Sequence, residues 1–576
     1  MPEPLPLTLC PPARIDFGDK GAPEAPEFGD IYFSTDGGLT EAQAVFLAAC
    51  GLPDRWHGTD YFAIGELGFG TGLNFLAAWQ MWDRSKSTGS RLHFISIEKF
   101  PLDHKQLRQA LSHWPELDQY ADQLVKKWPG RVKGFHSLEF GDVTLTLIHE
   151  GCAEALPQIS GQIDAWFLDG FSPSKNPDMW SPDVMEELAR LSSPGCQIGT
   201  FTVARAVREA LTEAGFEVAK KEGFGRKRDR LEAIYPGQTA IRRNTKIKPV
   251  IIGGGIAGAC LAYSFAKRGI QPTIIDANDG TAASGNAAAL VKPRLDLQDR
   301  PESRFFLSSY LFALQRYHAL GGIFSESIKH ICPTAKEQTR FEKLSRQKPL
   351  PKSHFNLLPN NDFEFPQSMV ITPKEIVENS CANSKMIAGS GHHVKDGRIL
   401  DAQGGAISEG SHFFWSCGFG IRDLQQFSGL KLRYSRGQLS YARTETDQAV
   451  TYGGYAIPLK NATLLGATHK RLDGQSPFEA RIDDDRKNFE KFLANNGGPL
   501  EPASRPSRSS VRVTTPSTLP LIFGGDQEWG LTGLGSRGFV FAPLLAEAIV
   551  AKICGEVLPI SDKAWTRFRA RENVPT

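Results

Sequence analysis

The 576-residue chain has little cysteine for its length, and none of it is paired in sequence. Cys10, Cys50, Cys152, Cys196, Cys260, Cys332, Cys381, Cys417 and Cys554 are scattered, and no Cys-x-x-Cys occurs. An odd, dispersed set excludes a disulfide framework and a zinc knuckle, so no metal is expected, and it suits a reducing compartment. Long apolar runs are missing too. The longest, near Ile251–Tyr263, is rich in glycine and too short to cross a bilayer, so no membrane association is expected. The start, Met1-Pro-Glu-Pro-Leu5, lacks the basic and apolar stretches of a signal peptide, which points to a cytoplasmic protein. Fixed-period repeats and low-complexity tracts are likewise absent.

Net charge is small, at +2, but it is unevenly spread. Residues 1–243 hold 25 Lys and Arg against 33 Asp and Glu, and the remainder holds 41 against 31. The basic second half can face a polyanion, although such an imbalance also serves solubility alone. The length exceeds one compact core and implies two to four domains.

Two strand–glycine–helix units stand far apart. The first runs Asp60-Tyr-Phe-Ala-Ile-Gly65, then Glu66-Leu-Gly-Phe-Gly-Thr-Gly72, then a helical stretch Leu73–Trp82. The second runs Pro249–Ile252, then Gly253-Gly-Gly-Ile-Ala-Gly258, then a helical stretch Ala259–Arg268. Each passes from an apolar strand to helical periodicity across glycines. Between them, residues 237–248 are polar and basic and read as a linker. Further strands at Leu92–Ile97, Val143–Ile148 and Ile163–Leu168 alternate with helical segments at Pro182–Leu191 and Ala204–Ala214, which implies a largely parallel sheet. The second half holds many short β-like runs, such as His412–Ser416, Gly437–Arg443 and Thr463–Thr468. The expected fold class is therefore α/β. A Rossmann-like domain (1–236) precedes a nucleotide-binding Rossmann domain (249–576) with an inserted antiparallel substrate sheet. The nucleotide-binding parts of the second domain are expected at about 249–300, 376–430 and 505–570.

The first loop alternates its glycines at Gly68, Gly70 and Gly72 after Glu66, and the next strand ends in Glu98. Glycine lets backbone approach a ligand, and a carboxylate after the second strand suits the two hydroxyls of a ribose. We read the loop as an S-adenosylmethionine site. Asp169 ends a later strand on the same carboxyl edge, before a rigid loop Gly170-Phe-Ser-Pro-Ser-Lys-Asn-Pro-Asp-Met-Trp180. It can touch the cofactor, or deprotonate an amine that attacks a sulfonium methyl. The second loop, Gly253-x-Gly255-x-x-Gly258 with Asp276 closing the next strand, matches the dinucleotide fingerprint. Small residues at Ser284, Gly285 and Asn286, a strand ending at Gly418, and a second glycine-rich helix start containing Gly535 and Gly538 favour FAD over NAD. Four cations in Gly223–Arg230, namely Arg226, Lys227, Arg228 and Arg230, form a candidate phosphate-binding patch, although a solvated charge run reads the same way.

These segments, together with Asp30–Leu39, Ile97–Pro101 and Trp166–Trp180, resemble the bifunctional tRNA 5-methylaminomethyl-2-thiouridine biosynthesis (MnmC) family over essentially the full length. The resemblance implies a tRNA wobble uridine as substrate. The second half would remove the carboxymethyl group of 5-carboxymethylaminomethyl(-2-thio)uridine with FAD. The first half would then methylate the resulting amine from S-adenosylmethionine. The second half is also similar to glycine and D-amino-acid oxidases, in which an arginine grips the substrate carboxylate. That role falls on Arg512, with Arg537 nearer the flavin and Tyr455 as a third candidate. Many flavin relatives carry glutamate where Asp276 stands, and Gly254 is an extra glycine. A monomer is expected. Two other readings stay open: an amine oxidase–methyltransferase fusion acting on a small metabolite, and a tRNA-binding protein with one inactive half.

Overall fold

A computed structural model describes residues 9–18, 23–33, 37–225, 228–239, 243, 246–444, 446–472, 474 and 476–570. The chain divides into two compact units. One is Thr8–Asn244 with Ala551–Ala564, and the other is chiefly Thr245–Val550 with Trp565–Thr576.

The first unit is built on an eight-stranded sheet in the order Glu217–Glu222, Asp229–Tyr235, Ser192–Thr200, Ile163–Leu168, Tyr61–Leu67, Arg91–Ile97, Val143–His149 and Gly134–Phe140. The central five strands run parallel, and antiparallel strands close both edges. All seven residues of the central strand Tyr61–Leu67 are buried, as expected of a parallel strand covered on both faces. The edge strand Glu217–Glu222 is charged and mostly exposed, which protects the sheet from pairing with another chain.

The segment Ala551–Ala564 completes this unit from 300 residues away in sequence. Val557 donates its N–H to the Tyr61 hydroxyl (3.2 Å), Leu558 donates to Ser160 O (2.9 Å), and Glu556 pairs with Arg91 at 2.5 Å. Nothing in the linker at 237–248 announces this return.

The second unit has two main sheets. A six-stranded sheet in the order Lys385–Ala388, Thr273–Asp276, Pro249–Ile252, His412–Trp415, Glu528–Thr532 and Leu521–Gly525 is parallel except at its last pair. An eleven-stranded, mainly antiparallel sheet is centred on Arg433–Arg443. Alternation along that strand decides its two faces. Arg436, Gln438 and Ser440 face the helix Ile482–Asn496, where Arg436 pairs with Asp484 and Gln438 and Ser440 bond Asp485. Leu439 and Tyr441 face the opposite way, into an apolar cluster with Ala288, Val370 and Tyr455. The strand Arg508–Thr514 pairs along its length with Arg433–Leu439. The part expected to bind nucleotide at about 505–570 thus opens on a strand of the larger sheet, and that strand carries Arg512.

Candidate active sites

In the first unit the glycine loop leaves the central strand directly. Gly68, Gly70 and Gly72 all have positive φ (87°, 54° and 81°), which side-chain-bearing residues rarely adopt. The Glu98 carboxylate accepts the N–H groups of Gly70 (2.8 Å) and Phe100 (2.7 Å), with the Lys99 N–H as a third donor, so its orientation is fixed. Glu66 is buried at 1% exposure and accepts from the Ser96 hydroxyl (2.6 Å).

Asn74, in the first turn of the helix Leu73–Ser85, donates one amide hydrogen to Glu66 (3.0 Å) and the other to Asp169 (2.8 Å). Asn74 was not among the expected site residues. Its only sequence signal is a polar side chain in an otherwise apolar turn. Burial pushes the Glu66 carboxyl well above the ordinary carboxylate range, against the Ser96 and Asn74 hydrogen bonds, with Asp169 and Glu98 adding like charge. Burial also raises Glu98. Three carboxyls gathered at one strand edge suit a cationic ligand, and S-adenosylmethionine carries both a sulfonium and an ammonium.

Aromatic rings rim the same place. Phe28 stacks on Phe171 at 4.3 Å, Tyr32 meets Phe171 edge-on at 5.5 Å, and Phe100 lies 5.9 Å from Phe28. A Cβ at Gly70 would lie 3.1 Å from the Tyr32 ring, so the loop packs under that ring.

In the second unit the fingerprint residues form a close-packed turn. A Cβ at Gly258 would lie 1.9 Å from the carbonyl oxygen of Gly253, and one at Gly253 would lie 2.5 Å from that of Ser416. Asp276 accepts the N–H groups of Gly254 and Asn278. The helix Ile256–Ala266 starts beside Gly255, and the Ser284 hydroxyl sits at that start, 3.0 Å from Ile256 N. Helix Gly538–Cys554 begins nearby, since a Cβ at Gly538 would lie 3.2 Å from Ile256 Cγ2. Two helix N-termini therefore converge on one glycine-lined place, an arrangement that favours the pyrophosphate of FAD. Gly418 follows the strand His412–Trp415 in a left-handed conformation.

The strand Arg508–Thr514 ties this place to the larger sheet. Arg508 donates to Asn286 Oδ1 and to the carbonyls of Gly280 (3.0 Å) and Ala282 (2.7 Å), and so braces the loop that holds Ser284 and Gly285. At the other end Thr514 bridges to Leu534, beside Gly535 of the C-terminal glycine loop. Arg512 lies between the two, on the same face. Its guanidinium reaches Thr468 O (3.4 Å) and the Tyr455 hydroxyl, and it has no carboxylate partner among the described residues.

Two glycines make room for this pair. A Cβ at Gly437 would lie 2.0 Å from Arg512 Nη1, and one at Gly466 would lie 2.7 Å from the Tyr455 hydroxyl. Sequence alone does not reveal either glycine, because their partners come from other strands. Arg537 occupies the exposed turn Gly535–Arg537 of the C-terminal loop.

Of the basic patch, Arg226 and Lys227 lie outside the described residues. Arg228 is exposed, whereas Arg230 is held by Glu232 at 2.7 Å, two residues on along the same strand face. None of the nine cysteines forms a disulfide. Among the described residues, no group of three or more His, Cys, Asp or Glu is arranged to hold a metal, and no helix is long and apolar enough to cross a membrane.

Both halves of the chain match known families. Residues 115–236 match the family described as S-adenosyl-L-methionine-dependent methyltransferase, and residues 249–552 match the FAD dependent oxidoreductase family. The tRNA 5-methylaminomethyl-2-thiouridine biosynthesis bifunctional protein MnmC of Caulobacter vibrioides is 38% identical over 574 residues, 96% of either chain. The protein of the same name from Maricaulis maris is 37% identical over 565 residues, covering 95% of this chain and 94% of its own. With an S-adenosylmethionine-dependent methyltransferase half followed by an FAD-dependent oxidoreductase half, the chain belongs to the MnmC family of bifunctional proteins.

Proposed function

We propose that this enzyme modifies the wobble uridine of tRNA in two steps, first oxidising 5-carboxymethylaminomethyl(-2-thio)uridine to the aminomethyl form and then methylating that amine. FAD, when bound, supplies a two-electron acceptor, and S-adenosylmethionine an electrophilic methyl group. The observation that carries the oxidative reading is the placement of Arg512. It lies between the two loops suited to FAD, beside Tyr455 and without a carboxylate partner among the described residues. A guanidinium there would hold both oxygens of the substrate carboxylate in one plane and fix the adjacent carbon. Loss of hydride from that carbon makes a C=N bond. Water then cleaves it, releasing the two-carbon acid and the primary amine.

In the methyl-transfer half, Asp169 would take a proton from that amine and free its lone pair, while Asn74 fixes the carboxylate. Glu98 would hold the ribose of the methyl donor, and Glu66, held by Ser96 and Asn74, would orient Asn74 beside it. The aromatic rim of Phe28, Tyr32, Phe100 and Phe171 suits a flat base turned out of its stack. Arg228, with Arg226 and Lys227 beside it in sequence, would meet backbone phosphates. The domains would divide at 237–248, with Ala551–Ala564 returning to the first. The enzyme would act as a monomer in the cytoplasm.

The test is nucleoside analysis of tRNA from cells lacking the protein. Accumulation of 5-carboxymethylaminomethyl nucleosides is expected. An unchanged wobble position would refute the assignment.

A further inference from the structure

Lys292 lies one position beyond the strand Ala289–Val291, which pairs with Phe363–Ile371 at the rim of the larger sheet. Three observations locate it. It follows the braced small-residue loop that holds Ser284–Asn286 by six residues. Its ammonium nitrogen is 2.9 Å from Thr451 Oγ1, and Thr451 is the cross-strand partner of Tyr455, the residue that contacts Arg512. It also feels the charge of Arg537 in the C-terminal glycine loop. Lys292 thus stands where the substrate face of the sheet meets both loops suited to FAD.

Its surroundings are unusual for a lysine. The nitrogen sits 4.6 Å from the centroid of the Phe365 ring and 5.9 Å from that of Phe341. His330 shares the same Thr451 oxygen at 2.8 Å and faces Glu337 at 3.3 Å. The charged and titratable groups around it are Glu337 and Arg340 from the helix Ala335–Gln347, Arg537 from the C-terminal loop, and the Cys332 thiol, which burial pushes up to about 11. No carboxylate is within ion-pair distance of Lys292 among the described residues. Removal from water pulls its pKa down to about 7; Glu337 opposes this, while Arg537 and Arg340 reinforce it. His330 is pushed down to about 2 by burial and by Lys292 and is neutral throughout the working range. Lys292 therefore changes charge near neutrality.

We propose that Lys292 is the proton acceptor of the oxidative step, taking the proton from the substrate's secondary ammonium before hydride leaves the neighbouring carbon. The proposal rests on the reading that the substrate is an N-carboxymethyl amine. The substrate N–H bond breaks and an Nζ–H bond forms. The freed nitrogen lone pair then becomes the second bond of C=N as the C–H electron pair leaves for the FAD that the oxidoreductase half employs, and the proton passes from Lys292 to solvent. Thr451 fixes the amine, and the faces of Phe365 and Phe341 stabilise the charge once the proton arrives. A neutral lysine of this kind is an efficient base because its pKa lies near the working pH.

The test uses the full-length, FAD-loaded enzyme, an anticodon stem-loop carrying 5-carboxymethylaminomethyluridine, and the variants Lys292→Met and Lys292→Arg. Arginine keeps the charge and the ring contacts but cannot accept a proton, so it also serves if the methionine variant loses flavin. In anaerobic single turnovers, the wild-type limiting rate of flavin reduction should rise through about pH 7 and level off. Both variants should fall by roughly 10²-fold at pH 7.5. Their rates should then climb with pH without levelling, following the fraction of free substrate amine. Separately, pH-dependent acylation of the wild-type protein, read by mass spectrometry, should give Lys292 a midpoint near 7, far below that of exposed lysines.

A wild-type pH profile in either variant would overturn the proposal, as would a change in substrate affinity alone or an ordinary lysine midpoint. A wild-type enzyme whose flavin the stem-loop does not reduce would instead sink the substrate reading, and this proposal with it, even if the labelling midpoint is low.

Discussion

At the carboxyl edge of the first unit's sheet the converging side chains are acids, Glu66, Glu98 and Asp169. In the second unit the corresponding groups are basic, the cations Arg512 and Arg537 with Lys292, which changes charge near neutrality. Both places are framed by glycine turns, and both carry charge left open toward a ligand. The contrast matches the chemistry of the two small groups to be handled: the first unit receives a cationic methyl donor and the second an amine bearing a carboxylate. Opposite net charge in the two halves of the sequence is thus repeated at the scale of single sites.

The contrast can be broken one unit at a time. The largest effect is expected from Asp169→Ala. Loss of a positioned base should lower single-turnover methyl transfer by about 10²–10⁴-fold, and flavin reduction should be unaffected. Methyl transfer within a few-fold of wild type would remove Asp169 from the chemistry. Next comes Gly437→Ala, which adds a methyl group where the Arg512 guanidinium now lies. Displacing that group by about 1 Å should slow flavin reduction by about 10²-fold, with FAD content retained. An unchanged reduction rate would mean that Arg512 does not need its glycine floor.

A third experiment concerns where the acidic unit ends. Glu556→Ala leaves Arg91 largely buried without its partner, and this should destabilise the methyltransferase unit by about 3 kcal/mol. The same logic predicts that a fragment ending near residue 244 is less stable than the unit within the full chain, because it lacks Val557 and Glu556. Denaturant melts of the fragment with and without added 551–564 peptide would check this, and equal stability would argue against the return.

The smallest effect is on pH. Glu66 and Glu98 are both pushed upward, so they take up protons on mild acidification, before ordinary surface acids do. Each proton removes negative charge from a site for a cation. S-adenosylmethionine affinity should therefore fall as pH is lowered, beginning above the range in which ordinary surface carboxylates titrate. Calorimetry showing constant or tighter binding at the lower pH would contradict the electrostatic reading.

Much of this was legible in the sequence, and for a physical reason. Glu66, the alternating glycines, Glu98, Asp169, Gly253–Gly258 and Asp276 all lie at strand ends, where a local switch from strand to helix period marks the ligand edge. What was hidden depends on contacts across strands. Gly437 and Gly466 matter because Arg512 and Tyr455 arrive over them from other strands. Arg508 matters because it reaches back more than 220 residues to Gly280–Asn286. Lys292 resembles any lysine until Thr451, Phe365 and Arg537 surround it. The Arg230–Glu232 pair is legible too, since Glu232 stands two residues away and period-2 alternation puts both side chains on one face. The return of Ala551–Ala564 has no local signature at all.

The division of labour between the acidic and cationic sites is tested most directly by a two-by-two product analysis. Asp169→Ala and Arg512→Lys, each shown to be folded and flavin-replete, are incubated with S-adenosylmethionine and tRNA carrying either the carboxymethylaminomethyl or the aminomethyl nucleoside. Products are read by nucleoside mass spectrometry. The account predicts that Asp169→Ala converts the first substrate and stops at the aminomethyl form. It predicts that Arg512→Lys leaves the first substrate untouched and methylates the second at the wild-type rate. Loss of both reactions in either variant, or full conversion by Arg512→Lys, would contradict it.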